Sequence, residues 1–198
     1  MAAVSARFQY PQGIAVDKNG IVYVSGKDNH TIRRIDRGGA VTTFAGVAGQ
    51  AGSADGAASV ARFNLPMGIA VDRHDNIFVA DWGNCTVRLI KPTGVVSTLA
   101  GVAGQEGSAD GPGAEARFMK PRGIAVDCAG RVYVCDWGNH TLRCISTTGH
   151  VTTVAGAAWL EGSVDGWGTA ARFDPTGLTV KANGSLYMGG GSVIRSVR

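Results

Sequence analysis

Short apolar runs broken by turn formers set the rhythm of this chain. Ile21-Val22-Tyr23-Val24, Ile77-Phe78-Val79-Ala80, Val132-Tyr133-Val134-Cys135 and Leu186-Tyr187-Met188 are apolar at every position, as a strand buried on both faces requires. Before each comes Gly-Ile-Ala-Val-Asp, at 13–17, 68–72 and 123–127, or, in the last case, Gly177-Leu178-Thr179-Val180-Lys181. After each comes Thr31-Ile32-Arg33, Thr86-Val87-Arg88, Thr141-Leu142-Arg143 or Val193-Ile194-Arg195. Three units close with Val41-Thr42-Thr43-Phe44-Ala45-Gly46, Val96-Ser97-Thr98-Leu99-Ala100-Gly101 and Val151-Thr152-Thr153-Val154-Ala155-Gly156. Turn residues separate the segments: Lys18-Asn19-Gly20 and Ala129-Gly130, then Trp82-Gly83-Asn84 and Trp137-Gly138-Asn139, then Gly38-Gly39, Thr93-Gly94 and Thr148-Gly149. Glycine and asparagine accept the backbone angles that tight hairpins need. The pattern predicts four short β-segments per unit and an all-β chain.

The units are copies of one another. Ala-Arg-Phe stands at 6–8, 61–63, 116–118 and 171–173, a spacing of 55 each time, and a proline follows in every copy (Pro11, Pro66, Pro121, Pro175). The fourth copy then runs one residue early, because Asp174 stands where the others have two residues. Four antiparallel strands in a meander, repeated at a fixed period, predict the blades of a β-propeller. A blade that is apolar on both faces cannot bury them alone and must stack on its neighbours. The expected blades are 13–46, 68–101, 123–156 and 177–198, joined by long connectors 46–66, 101–121 and 156–175 within a single domain, 1–198. The fourth unit reaches only its third strand, so the expectation is three complete four-stranded blades plus a fourth lacking its outer strand. Val4 and Ser5 match Ser59 and Val60 at the end of a connector, and so do not replace that strand.

Pro-x-Gly-Ile-Ala-Val-Asp, Tyr-Val-x-Asp, Asn-His-Thr-Leu-Arg and Gly-x-Val-Thr-Thr-x-Ala-Gly, most complete over residues 121–156, resemble the NHL-repeat family of β-propellers. The resemblance covers almost the whole chain. Gly26-Lys27-Asp28 in blade one and Gly189-Gly190-Gly191 in blade four depart from it, where an Asp-Trp-Gly turn is expected. WD-type and kelch signatures are absent. Family members commonly have about six blades, or ~330 residues at this period. The resemblance therefore implies part of a longer propeller, a tight four-blade ring, or two chains completing one ring. Open blade edges would offer self-association. Some NHL-like propellers are lyases with histidines near the axis, and some bind single-stranded RNA on a basic face.

Composition narrows these classes. The 198 residues are 44% apolar and 17% charged with 30 glycines, which describes a globular, turn-rich chain. No window approaches the roughly 18 apolar residues of a membrane span, and the first residues show no secretory pattern, so no membrane association is expected. The net charge of +4 hints at an acidic partner. However, Arg7, Arg62, Arg117 and Arg172 recur at one repeat position and Arg33, Arg88, Arg143 and Arg195 at another, so the charge is distributed by the architecture. The connectors mix these arginines and Lys120 with Asp55, Glu106, Asp110, Glu115, Glu161 and Asp165, and nucleic acid is not the expected partner. Cys85, Cys128, Cys135 and Cys144 form no C-x-x-C pair and do not recur. Neither a zinc site nor a disulfide framework is expected, and isolated thiols lean towards a reducing, cytoplasmic setting.

Repetition also sorts the candidate chemistry. Asp81 and Asp136 with Arg88 and Arg143 read as hairpin ties, and Arg33, Asn84 and Asn139 as scaffold at the same positions. The Asp of Gly-Ser-x-Asp-Gly (Asp55, Asp110, Asp165) reads as a turn former paired with the arginine of Ala-Arg-Phe; no calcium-loop pattern accompanies it. His30 and His140 share a position with Cys85, which disfavours a ring of catalytic histidines. No catalytic, metal or cofactor residue is assigned. In a meander blade, the long connectors and the turns between second and third strands emerge on one face, and loops of this length are often functional. Trp82 and Trp137, with Lys27 as the blade-one equivalent, sit at those turns; Trp159 and Trp167 leave the pattern where other copies have Gly49 or Gly104 and Ala57 or Pro112. The expected function is a non-catalytic scaffold binding a protein or peptide through this face. The alternatives are a metal-dependent, lyase-type enzyme and a single-stranded RNA binder.

Overall fold

The computed structural model describes residues 6–197; Val4, Ser5 and Arg198 lie outside them. Blade one is β1 (Pro11–Val16), β2 (Val22–Gly26), β3 (Thr31–Ile35) and β4 (Val41–Ala45), paired antiparallel in that order. The next connector carries a short strand, β5 (Gly56–Ala57), before blade two: β6 (Pro66–Val71), β7 (Ile77–Asp81), β8 (Thr86–Ile90) and β9 (Val95–Ala100). Likewise β10 (Gly111–Pro112) precedes blade three: β11 (Pro121–Val126), β12 (Val132–Asp136), β13 (Thr141–Ile145) and β14 (His150–Gly156). Blade four is β15 (Gly177–Val180), β16 (Leu186–Gly190) and β17 (Val193–Val197). The four sheets form a four-blade propeller arrangement, with blade four three-stranded among the described residues.

Blades two and three differ from expectation by one strand. The two-residue strands β5 and β10 pair with the outer strands β9 and β14, making five-stranded sheets in the orders β5-β9-β8-β7-β6 and β10-β14-β13-β12-β11. Each connector thus laps over the outer edge of the blade that follows it.

The apolar core is layered between blades. Tyr23, Ile32 and Ala45 of blade one meet Ile69, Ile77 and Val79 of blade two. Phe78 and Val87 meet Ile124, Val134 and Ile145 of blade three, whose Tyr133 and Leu142 meet Leu186 and Met188 of blade four. The recurrent Phe of Ala-Arg-Phe lies in these layers: Phe63, Phe118 and Phe173 are all buried, each contributing roughly 1.5–3 kcal/mol. Near the axis, the glycine of Pro-x-Gly lets neighbouring inner strands touch. A Cβ on Gly13 would lie 2.6 Å from the Met67 carbonyl oxygen, and one on Gly123 would lie 2.9 Å from that of Thr176. The outward faces of the first and last blades are open: Ile14 in β1 is 69% exposed and Ile194 in β17 81%.

Candidate interaction face

The turn between second and third strands is rigid in blades two and three. Trp82–Asn84 and Trp137–Asn139 each form one 3-10 turn, ended by a left-handed residue, Cys85 (φ 57°) or His140 (φ 55°). Beneath each turn lies an ion-pair chain whose arginine and inner aspartate are fully buried and whose outer aspartate is half-exposed. Arg88 Nη1 donates to Asp81 Oδ2 at 2.9 Å and Nη2 to Asp55 Oδ1 at 2.5 Å; Arg143 repeats this with Asp136 at 2.9 Å and Asp110 at 2.6 Å. The same guanidiniums donate to the carbonyls of Arg62 and Ala54, or of Arg117 and Ala109. Asn84 and Asn139 complete the weld, each bridging the buried aspartate (2.7 Å) and a connector carbonyl, Gly52 or Gly107 (2.6 Å).

One expected pairing is corrected. Asp55, Asp110 and Asp165 bind Arg88, Arg143 and Arg195, not the arginine of Ala-Arg-Phe. Arg62 and Arg117 instead fold back onto nearby carbonyls and onto Gln50 and Gln105. The connector crosses to the next blade, so its carboxylate meets that blade's third strand. Blade one has Gly26 in the place of Asp81, and its Arg33 turns to the carbonyls of Arg7 and Thr42.

Burial pushes the carboxyls of Asp81 and Asp136 up to about 6, against the pull of the guanidinium, a backbone N–H and the asparagine amide. An unfolded aspartate titrates near about 3.9. The folded chain thus holds these protons more tightly: their contribution to stability is full below about pH 4 and is lost as pH rises through about 6. The unfolding free energy from urea titration, and with it the midpoint, should rise as pH falls from about 7.5 to about 5, by roughly 1 kcal/mol per carboxyl, and a D81N/D136N double variant should flatten that slope. A wild-type midpoint that falls over the same interval would refute this. Asp127, whose carboxyl is held below its ordinary value through its bonds to Arg131, acts in the opposite sense at lower pH.

The candidate side chains divide into groups. Trp82 is half-buried, with Lys120 Nζ 5.4 Å from its ring centroid; Trp137 and Lys27 are also half-buried. Sequence reasoning missed the Lys120 contact, which joins a connector end to the preceding turn. Trp159 is 59% exposed with φ 67°, where Gly49 and Gly104 have φ 73° and 74°. In blades one and two, the amides of Gly49 and Gly104 donate to Asn29 and Asn84 carbonyls, which sets this position beside the turn. Trp167 is 88% exposed and sits apart, over the edge of blade four. His30 Nδ1 accepts the Leu65 amide at 3.1 Å, so that nitrogen serves as a cap between turn and connector. All four cysteines are free thiols, with Cys85 and Cys135 buried.

Comparison with known proteins agrees with the repeat and the sheet arrangement. The NHL repeat matches residues 118–145, and the Teneurin NHL domain matches residues 1–55. Residues 118–145 thus carry an NHL repeat, within four sheets arranged as a propeller. Teneurin-3 of Danio rerio is 28% identical over 99% of this chain, and NHL repeat-containing protein 2 of Bos taurus 26% over 70%. The chain spans 8% of the first relative and 21% of the second. A protein of unknown function from Bacteroides thetaiotaomicron superposes with TM-score 0.78 at 24% identity, over 94% of this chain and 46% of that one. A streptogramin B lyase superposes with TM-score 0.66 at 13% identity, over 98% and 56%. These superpositions establish shared fold alone. Neither sequence relative bears an enzyme's name.

Proposed function

We propose that this NHL propeller is a non-catalytic interaction scaffold that binds a protein or peptide through the face built from the long connectors and the turns between second and third strands. Trp159 carries the reading. A non-glycine residue in the left-handed region costs about 1–2 kcal/mol, and the equivalent positions use glycine. Strain held for the display of a half-exposed indole marks a position kept for recognition. Trp82, Trp137 and Lys27 supply the neighbouring contacts, since aromatic side chains on a rigid support give large contact area at low entropic cost. The buried arginine chains beneath the turns supply that support.

Trp159→Gly tests the proposal because it restores the residue of the other copies. The variant should gain about 1 kcal/mol in urea stability while its affinity for a partner captured on the immobilised chain falls about tenfold. W82A and W137A should weaken the same partner with little change in melting temperature. Undiminished capture by all three variants would remove the face assignment. A large drop in melting temperature for W82A or W137A would make those tryptophans packing residues.

A further inference from the structure

Successive turns of an antiparallel meander alternate between the two ends of a blade, so the β6–β7, β8–β9, β11–β12 and β13–β14 turns lie opposite the tryptophan turns. Between them, at the junction of blades two and three, is a cleft of about 280 Å³. Its floor is Phe78, Leu89, Leu99 and Val132, and Arg73 and Lys91 stand at its rim. We propose that this cleft binds a small aryl carboxylate, with the ring on Phe78 and the carboxylate between Arg73 and Lys91. The site is separate from the connector face, and either assignment stands if the other fails.

Four departures from the repeat meet in this cleft. Phe78 stands where the other blades have Tyr23, Tyr133 and Tyr187, and Asn76 where blade three has Arg131. Leu89 takes the place of Arg34 and Cys144, and Lys91 that of Asp36 and Ser146. In blade three the equivalent space is filled: the Arg131 guanidinium lies 5.7 Å from the Tyr133 ring centroid and donates to Asp127 at 2.7 Å. The Tyr133 hydroxyl reaches the same carboxylate oxygen at 3.5 Å. In blade one, Phe44 packs edge-on against Tyr23, with ring centroids 5.2 Å apart. In blade two the Asn76 amide takes over the aspartate, donating to Asp72 Oδ2 at 2.7 Å. The carboxylate is thus satisfied without a tyrosine hydroxyl or a guanidinium. Among the described residues, no cation or second ring packs on Phe78.

Charge selects the ligand. At the position of Lys91, Asp36 caps its own turn by accepting the Ala40 amide, and Ser146 by accepting that of His150; a lysine has no acceptor for this role. Neither Lys91 nor Arg73 forms an ion pair among the described residues. His74 aims Arg73, its Nε2 accepting from Arg73 Nε at 3.0 Å and leaving the outer guanidinium nitrogens available. The two carboxylates at the cleft face their own turns: Asp72 accepts the amides of His74 and Asn76, and Asp127 those of Ala129 and Arg131. An apolar floor with two unpaired cations on one rim suits a compact apolar body ending in a carboxylate, which the guanidinium and ammonium bind through charge-assisted hydrogen bonds. The volume suits a guest with a single ring.

The probe is hydrocinnamate, titrated into the 198-residue chain by calorimetry. It should bind saturably with a dissociation constant below about 1 mM. It should also slow alkylation by iodoacetamide of Cys128, an exposed thiol on the blade-three side of the cleft. Hydrocinnamamide, which lacks the charge, and phenethylammonium, which reverses it, should each bind about tenfold more weakly or worse. R73A/K91A alters two exposed side chains and should lose about tenfold in affinity at an unchanged melting temperature. N76R/F78Y rebuilds the arrangement of blade three and should abolish binding. Absence of saturable binding, equal binding by the amide or the ammonium, or undiminished binding by R73A/K91A overturns the proposal. Full binding by N76R/F78Y, shown to be folded by its circular dichroism, does the same.

Discussion

Arg143→Ala should destabilise the chain by about 3–5 kcal/mol, lowering the melting temperature by about 10 °C for a chain of this size. The guanidinium is fully buried and holds Asp136, Asp110 and two connector carbonyls while lying 5.0 Å above the Phe118 ring. Removing it strands a buried carboxylate and releases the connector from the blade. The Asp136 carboxyl can escape part of that penalty by taking up a proton, so the deficit should narrow towards pH 5. Arg195→Ala is the contrasting case: Asp165 is open to water and Gly190 replaces the buried aspartate, so the loss should stay below about 1 kcal/mol. Urea titration of both variants at two pH values checks the whole argument. Equal losses at the two sites would show that the buried carboxylate is not what the arginine serves.

Phe118→Ala should cost about 3–5 kcal/mol, because the ring fills the layer between blades two and three and its removal leaves a cavity there. Phe8 occupies the same repeat position but is 36% exposed, and Phe8→Ala should cost about 1 kcal/mol or less. The R143A/F118A double variant should lose less than the sum of the single losses, since the two side chains touch. Calorimetric unfolding of the four variants tests both statements. Strict additivity would contradict the contact.

Much of this architecture is legible in the sequence, because stacking enforces it at every blade. The Ala-Arg-Phe and Pro-x-Gly positions recur since each interface needs a plugging ring and a close inner-strand approach, and the all-apolar second strands reveal two buried faces. The expected tie between Asp81 and Arg88 is local, seven residues apart. The third member, Asp55, lies 33 residues from Arg88, and no local pattern reveals that a connector reaches over the following blade. The strands β5 and β10 were hidden for the same reason: Gly-Ala and Gly-Pro have no β-propensity, and the partner strand alone defines them. Trp159 is half-legible, since its glycine equivalents predict the left-handed backbone while the sequence is silent on the indole's exposure.

The overlap of the connector onto the following blade gives the chain a direction. Asp55 is translated before Arg88, and Asp110 before Arg143, so in blades two and three the aspartate waits for the strand it will hold. The connector has no strand partner until β9 or β14 has also been made, so each clamp closes only when the whole of its blade is present.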